Sequence, residues 1–133
     1  MRLPDWEQRL ADVVAAHQGG VFVWGSRDCF TFVRETVFRL TDQCIWPEIR
    51  YGGPRQATVR LRRHGFRTVS DALADVLPEV PPALARAGDV GVVIEGNAEA
   101  GVVVLGAEIV GMAPGRGLTV LPLVRLHRAF RVG

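Results

Sequence analysis

One cysteine lies at the predicted start of a helix, a position that suits a nucleophilic thiol. Cys29 ends the stretch Trp24-Gly25-Ser26-Arg27-Asp28-Cys29, which follows a short apolar run at 21–23. Beyond it, apolar residues recur every three or four positions, which predicts a helix over residues 28–41. Asp28 is the predicted N-cap, and Gly25 supplies the turn before it. Free N–H groups and the helix dipole lower a thiol pKa, so Cys29 is the candidate nucleophile.

A cysteine nucleophile also needs a base, and the chain has three histidines. His17 ends the first predicted helix and lies close in sequence to the cysteine loop, so it is the one histidine that is a candidate for the base. The commoner role of a histidine there is to complement the helix C-terminus. His64 lies near another predicted helix end, and His127 lies near the end of the sequence. The residues alone therefore leave the base open.

Composition limits the class of protein. The chain has 133 residues, about half of them apolar, which predicts one domain with its own core. The formal net charge of +2 is too small to indicate a nucleic-acid partner. No apolar run is long enough to cross a bilayer, and the N-terminus lacks the apolar segment of a signal peptide, so synthesis in the cytoplasm is expected.

The two cysteines, Cys29 and Cys44, are too few for a zinc or iron–sulfur site, so we expect neither a metal nor a cofactor. A helix between them would keep them too far apart for a disulfide.

Periodicity predicts helices in the first half of the chain and strands in the second. The predicted helices cover residues 4–17, 28–41, 55–64 and 68 or 70–77; the third is expected to bury Ala57 and Leu61. The predicted strands cover residues 89–94, 101–105, 108–112 and 118–122, with a possible edge strand at 128–132. The fold class is therefore α+β, with a helical part over about 4–77 and a small antiparallel sheet over about 88–132.

The order of several short motifs resembles the NlpC-type cell-wall peptidases and amidases, and more closely a branch of short phage tail proteins with the same core. The match spans nearly the whole chain. The matching segments are Trp6-Glu7-Gln8-Arg9-Leu10, Phe22-Val23-Trp24-Gly25-Ser26-Arg27-Asp28-Cys29, Tyr51-Gly52, Arg62-Arg63-His64-Gly65, Gly88-Asp89-Val90, Gly117-Leu118-Thr119-Val120-Leu121-Pro122-Leu123 and Phe130-Arg131-Val132.

The resemblance implies a reduced papain-like fold and a catalytic histidine two residues before a strand glycine. When Gly101 is aligned with that glycine, Glu99 occupies the histidine position. The next strand, at 108–113, offers no His, Asn or Gln in its centre to orient a base. A carboxylate beside a thiol raises its pKa, which opposes activation. The resemblance therefore implies a degenerate site in which Cys29 is vestigial. The residues themselves favour an N-cap role for Asp28. Trp24 is either part of a substrate groove or a core aromatic against the first helix, and the core is favoured.

Two segments are candidate interfaces. Four arginines follow closely on one another, and such a run usually forms a solvated helix face; as an interface, it favours a protein partner over nucleic acid. The C-terminal residues form a second candidate, as an edge strand that pairs with a neighbouring chain. The residues are Arg60, Arg62, Arg63 and Arg67, and Phe130, Arg131 and Val132.

The resemblance supports three hypotheses about function. The first is a structural component of a phage or phage-like tail tip or baseplate in the virion, in contact with hub, distal tail or baseplate proteins. The second is a cysteine peptidase that cleaves peptidoglycan stem peptides during DNA delivery, with Cys29 as nucleophile and a base from His17 or another chain. The third is a tail-assembly chaperone absent from the finished particle.

Overall fold

The first two helices pack together and carry much of the core. The computed structural model describes all 133 residues. Helix α1 spans Trp6–His17 and buries Leu10, Val13 and His17. Helix α2 spans Cys29–Thr41, begins at the predicted N-cap Asp28, and buries one apolar face. Asp42 ends α2 in the left-handed conformation, with φ 63°.

Two shorter helices follow a loop whose Ile45, Trp46 and Ile49 are buried. Helix α3 spans Pro54–Arg63, and helix α4 spans Val69–Val76 with Thr68 as its N-cap. The prediction that Ala57 and Leu61 are buried is wrong. Both are only partly buried, and α3 has no buried residue, because it lies on the outside of the molecule.

Six strands form one antiparallel sheet with the order β1-β6-β2-β3-β4-β5. Their bounds are Glu79–Val80 (β1), Val90–Glu95 (β2), Ala98–Val104 (β3), Glu108–Ala113 (β4), Gly117–Pro122 (β5) and Arg128–Phe130 (β6). Strands β2 and β3 form a hairpin through Gly96-Asn97, with Glu95 opposite Ala98. Short 3-10 helices at Pro82–Leu84 and Leu123–Arg125 lie in the connections. The predicted α+β fold is confirmed.

The C-terminal strand is interior and not an edge. Strand β6 lies between β1 and β2, with Phe130 opposite both Glu79 and Val90. Phe130 and Val132 are fully buried, and Arg131 is tied to Asp89. The expectation that 130–132 pairs with a neighbouring chain is therefore wrong, because the two-residue strand β1 already occupies the outer side of β6.

The sheet has an apolar cluster on each face. The larger contains 20 buried residues from α1, α2, α4, the 45–49 loop and one face of the sheet. The smaller contains 6, including Val93, Val104 and Ile109, on the opposite face. The larger cluster joins the helices to the sheet, so the predicted helical and sheet parts share one core.

Asp89 connects the two ends of the chain. Its buried carboxylate accepts hydrogen bonds from Arg2 Nη2 at 3.0 Å, the Arg86 N–H at 3.0 Å and the Val132 N–H at 3.1 Å. Arg131 Nε lies 3.3 Å from the same carboxylate. Arg2 also donates to the Val132 carbonyl at 2.8 Å, and Gly133 packs against Arg2. The Gly88-Asp89-Val90 motif is thus a structural junction.

None of the helices combines the length and the apolar character that crossing a membrane would require.

Candidate functional site

The loop before α2 is built around the Asp28 carboxylate. Asp28 Oδ1 accepts the Thr31 N–H at 2.8 Å, while Thr31 Oγ1 accepts the Asp28 N–H at 3.0 Å, which completes a capping box. Asp28 Oδ2 accepts the Gly25 N–H at 2.8 Å. Asp28 is fully buried. The predicted N-cap is confirmed, and the same carboxylate also shapes the turn ahead of it.

Two motifs that are distant in sequence meet at this loop. Gly25 has φ +85°, and a Cβ there would collide with the Tyr51 carbonyl oxygen. The Tyr51 side chain lies close enough to Asp28 for the two groups to interact electrostatically. Burial raises the pKa of Tyr51 far above its ordinary value, and the Asp28 charge raises it further. The tyrosine-glycine motif therefore holds the cysteine loop in place.

The Cys29 thiol is kept in its protonated form. Burial raises its pKa to about 11, although the residue as a whole retains some exposed surface. The backbone N–H of Gly101 and that of Phe30 stabilise the thiolate and lower the pKa, while the Asp28 charge raises it. The predicted lowering of the Cys29 pKa by the helix N-terminus is wrong, because burial outweighs the backbone dipoles.

None of the three histidines reaches the thiol as a base. Nδ1 of His17 lies 2.8 Å from the Val13 carbonyl, and because an oxygen there can only accept, that nitrogen carries the proton. Its Nε2 lies 3.6 Å from Glu35. His64 contacts the Arg60 carbonyl and Glu48, at 2.9 and 3.5 Å. His127 is exposed in the segment before β6. His17 thus has the predicted helix-end role.

Glu99 lines one cleft together with Cys29, but its carboxylate is bound by another residue. It lies two residues before Gly101 on β3, but its carboxylate accepts the Ser70 N–H and the Ser70 hydroxyl, each at 2.9 Å. Ser70 Oγ also accepts from Arg128 Nη1 at 2.9 Å. The main carboxylate charge that raises the Cys29 pKa is that of Asp28. The largest like-charge repulsion therefore comes from a residue other than the expected Glu99.

A cleft of about 520 Å³ opens beside Cys29. Residues of β2, β3, β4 and β5, Glu99 among them, line it together with Phe22, Trp24 and Cys29, and no His, Asn or Gln is present in the lining. Trp24 is 37% exposed and packs edge-on against Phe22, with ring centroids 4.9 Å apart. The favoured assignment of Trp24 to the core is wrong, and of the two predicted places the groove is the one that agrees with the structure, because Trp24 lines the cleft and is more than one third exposed.

The other candidate residues do not join this cleft. Arg60, Arg62, Arg63 and Arg67 are all exposed, on and just after α3. Cys29 and Cys44 are both free thiols. Nowhere do three or more His, Cys, Asp or Glu side chains converge in a way that could hold a metal ion.

Comparison with protein families assigns the chain to one family. The family model described as a domain of unknown function, DUF6950, matches residues 1–132. The chain belongs to the DUF6950 family. No curated protein matches it. In this DUF6950 member, the cysteine loop, the Tyr51 contact and the Asp89 junction all lie within the matched residues.

Sequence reasoning missed two polar groups that shape the site. Ser70 is the hydrogen-bond partner of Glu99, and Tyr51 is the residue whose side chain interacts electrostatically with Asp28. Tyr51-Gly52 was visible as a motif, but nothing local in the sequence connects it with a residue more than twenty positions earlier.

Proposed function

We propose that the chain is a structural component of the tail tip or baseplate of a bacteriophage or phage-like particle. Its NlpC-like domain serves as an assembly module with a degenerate catalytic site, and its partners are hub, distal tail or baseplate proteins. The motifs that resemble short phage tail proteins support the virion assignment. The observation that carries the loss of catalysis is a buried Cys29 thiol in a cleft that no histidine lines.

The chemistry of the site explains why this arrangement is poorly suited to hydrolysis. A Cys–His pair works because imidazole removes the thiol proton and later delivers it to the leaving group. A thiol with a pKa of about 11 is thiolate to only about 0.03% at pH 7.5. Glu99, at the position where the family resemblance places the base, is held by Ser70 and is not available to Cys29.

Alkylation of Cys29 as a function of pH tests the state of the thiol. In a Cys44→Ser variant, we expect the iodoacetamide rate at Cys29 to be at least tenfold below that of a free thiol at pH 8, and to rise until about pH 11. The Cys29→Ser variant reports the exposed Cys44 as a control. A Cys29 midpoint near or below pH 7 would contradict the proposal and indicate an activated nucleophile.

Complementation tests the proposed role in the particle. A phage whose copy of this gene is deleted should fail to form plaques, and the Cys29→Ala variant should restore the titre as well as the wild-type chain does. The chain should also be found in purified particles by mass spectrometry. Absence from particles that need the gene for assembly would favour the chaperone.

A cysteine peptidase acting on peptidoglycan stem peptides is the second candidate, favoured by one observation. Cys29 lines an open cleft at a helix N-terminus, where backbone N–H groups could stabilise an oxyanion. The missing base would then come from a partner chain. Release of stem peptides by wild-type particles but not by Cys29→Ala particles would support this candidate.

A further inference from the structure

Helix α3 is the least buried helix of the molecule. None of its residues is buried; Leu61 packs against the larger apolar cluster, and Ala57 is the other partly buried residue of the helix. An isolated helix of fewer than about 12 residues is marginal in water, because most helix stability comes from packing of an apolar face. Since none of its residues is buried, the outer face of α3 is exposed to solvent and accessible to a partner.

That outer face is strongly basic. Helix α3 contains no acidic residue, and Arg67 follows it closely. All its arginines are exposed, and none takes part in an ion pair. We define the basic face as Arg55, Arg60, Arg62, Arg63 and Arg67.

Two carboxylates close to this helix have other partners. Glu48 lies 3.5 Å from His64, and Asp71 accepts the backbone N–H of Arg67 at 3.1 Å. Neither forms an ion pair with a guanidinium group of the basic face.

Two shallow depressions lie on this face, each with an apolar residue in its lining. One, of about 240 Å³, is lined by Gln56, Val59 and three arginines of the basic face. The other, of about 530 Å³, is lined by Phe66, Gly65 and two more of them. Val59 is 45% exposed, so an apolar side chain lies open to solvent among positive charges. Arginine beside apolar surface is the combination that protein interfaces favour.

We propose that the basic face binds an acidic segment of another protein, in which carboxylates alternate with apolar side chains. Arginine guanidinium groups pair with carboxylates through two parallel hydrogen bonds, and Val59 and Phe66 receive the apolar side chains. Nucleic acid is the less favoured partner, because phosphates need no apolar contact. This inference does not depend on the Cys29 cleft, which none of these arginines lines.

Binding of a synthetic probe tests the proposal. The probe is a fluorescein-labelled, helix-forming peptide of alternating glutamate and leucine turns, titrated with the intact protein at physiological salt and followed by anisotropy. We expect Arg60→Glu/Arg63→Glu to weaken binding about tenfold or more. Arg116→Glu/Arg125→Glu makes the same change in net charge at exposed arginines elsewhere and should stay within about twofold of wild type.

Two further measurements separate the alternatives. Val59→Ser should weaken binding of the leucine-containing peptide but leave binding of an all-glutamate/alanine peptide unchanged. Duplex DNA with the same label should bind more weakly than the peptide. Equal effects of the two double variants, tighter binding of DNA, or no peptide binding at millimolar protein would each overturn the proposal. Circular dichroism confirms that the variants are folded.

Discussion

At the scale of single residues, Gly25 and Asp28 hold the cysteine loop. Gly25 combines a positive φ with close approach to the Tyr51 carbonyl, so both its backbone conformation and its lack of a side chain are used. The Asp28 carboxylate accepts the backbone N–H groups of Gly25 and Thr31 and so connects the start of the loop with the first turn of α2. The position of Cys29 therefore depends on residues that do not contact its sulfur.

Gly25→Ala tests whether the loop needs glycine at this position. A Cβ there must displace the Tyr51 backbone, and a non-glycine residue in the left-handed region itself costs about 1–3 kcal/mol. We expect the free energy of unfolding in urea to fall by about 3 kcal/mol. Gly53→Ala is the matched control, because Gly53 has no neighbouring atom within 4 Å and an extended backbone. Equal losses for the two variants would contradict this account.

Only those features of the site that depend on neighbouring residues in the sequence were predictable. The Asp28 cap follows from residues within one turn of the helix, and the structure confirms it. The Cys29 pKa was predicted in the wrong direction, because the burial that raises it depends on β3, some seventy residues later. Trp24 was misplaced because the path of its loop depends on tertiary contacts.

At the scale of elements, Glu99 joins β3 to the N-terminus of α4. Its carboxylate accepts two hydrogen bonds from Ser70, and Arg128 on β6 donates to the same Ser70 hydroxyl. Arg128 then pairs with Glu79 on β1 through two hydrogen bonds, at 2.8 and 2.6 Å. One polar network thus connects α4 with three strands. A negative charge is also favourable near a helix N-terminus.

Glu99→Gln tests this role. The amide can accept only one of the two Ser70 hydrogen bonds and removes the charge, so we expect a loss of about 1–2 kcal/mol in unfolding free energy. Amide hydrogen exchange should become faster in α4 before it does so in α2. The control is Glu95→Gln, an exposed position on the neighbouring strand, which should have little effect. Unchanged exchange in α4 would contradict the network.

The elements themselves were predicted well where the signal is local. The structure places all four helices within two or three residues of the expected bounds, because caps, glycines and prolines mark their ends. Strand β1 was missed, since Glu79–Val80 is too short to show alternation. The interior place of β6 was also missed, because it depends on pairing with β1 and β2, both more than thirty residues earlier.

At the scale of the whole molecule, Asp89 joins both ends of the chain to the sheet. It binds Arg2, the backbone at Arg86 and the backbone at Val132. Buried polar groups of this kind are costly when they lose a partner, because the carboxylate is left without its hydrogen bonds. The integrity of the fold therefore depends on residues at its extremities.

Deletion of residues 131–133 tests this dependence. The truncation removes the fully buried Val132 and two partners of Asp89, so we expect a loss of about 3–5 kcal/mol and a melting temperature lower by about 10–20 °C. Deletion of Gly133 alone should have a much smaller effect. If the longer truncation keeps the melting temperature but loses assembly with partner proteins, the segment is an interface after all.

The meeting of residues 2 and 133 has an entropic consequence. Because Gly133 packs directly against Arg2, a short peptide linker could close the chain into a ring without moving either end. Closure would leave the folded state unchanged but would remove conformations from the unfolded chain. For a loop of this length the gain is about 4–5 kcal/mol. This gain is a small part of the conformational entropy lost on folding, which is about 1–2 kcal/mol for the backbone of each residue, but it is comparable with the net stability of a typical domain.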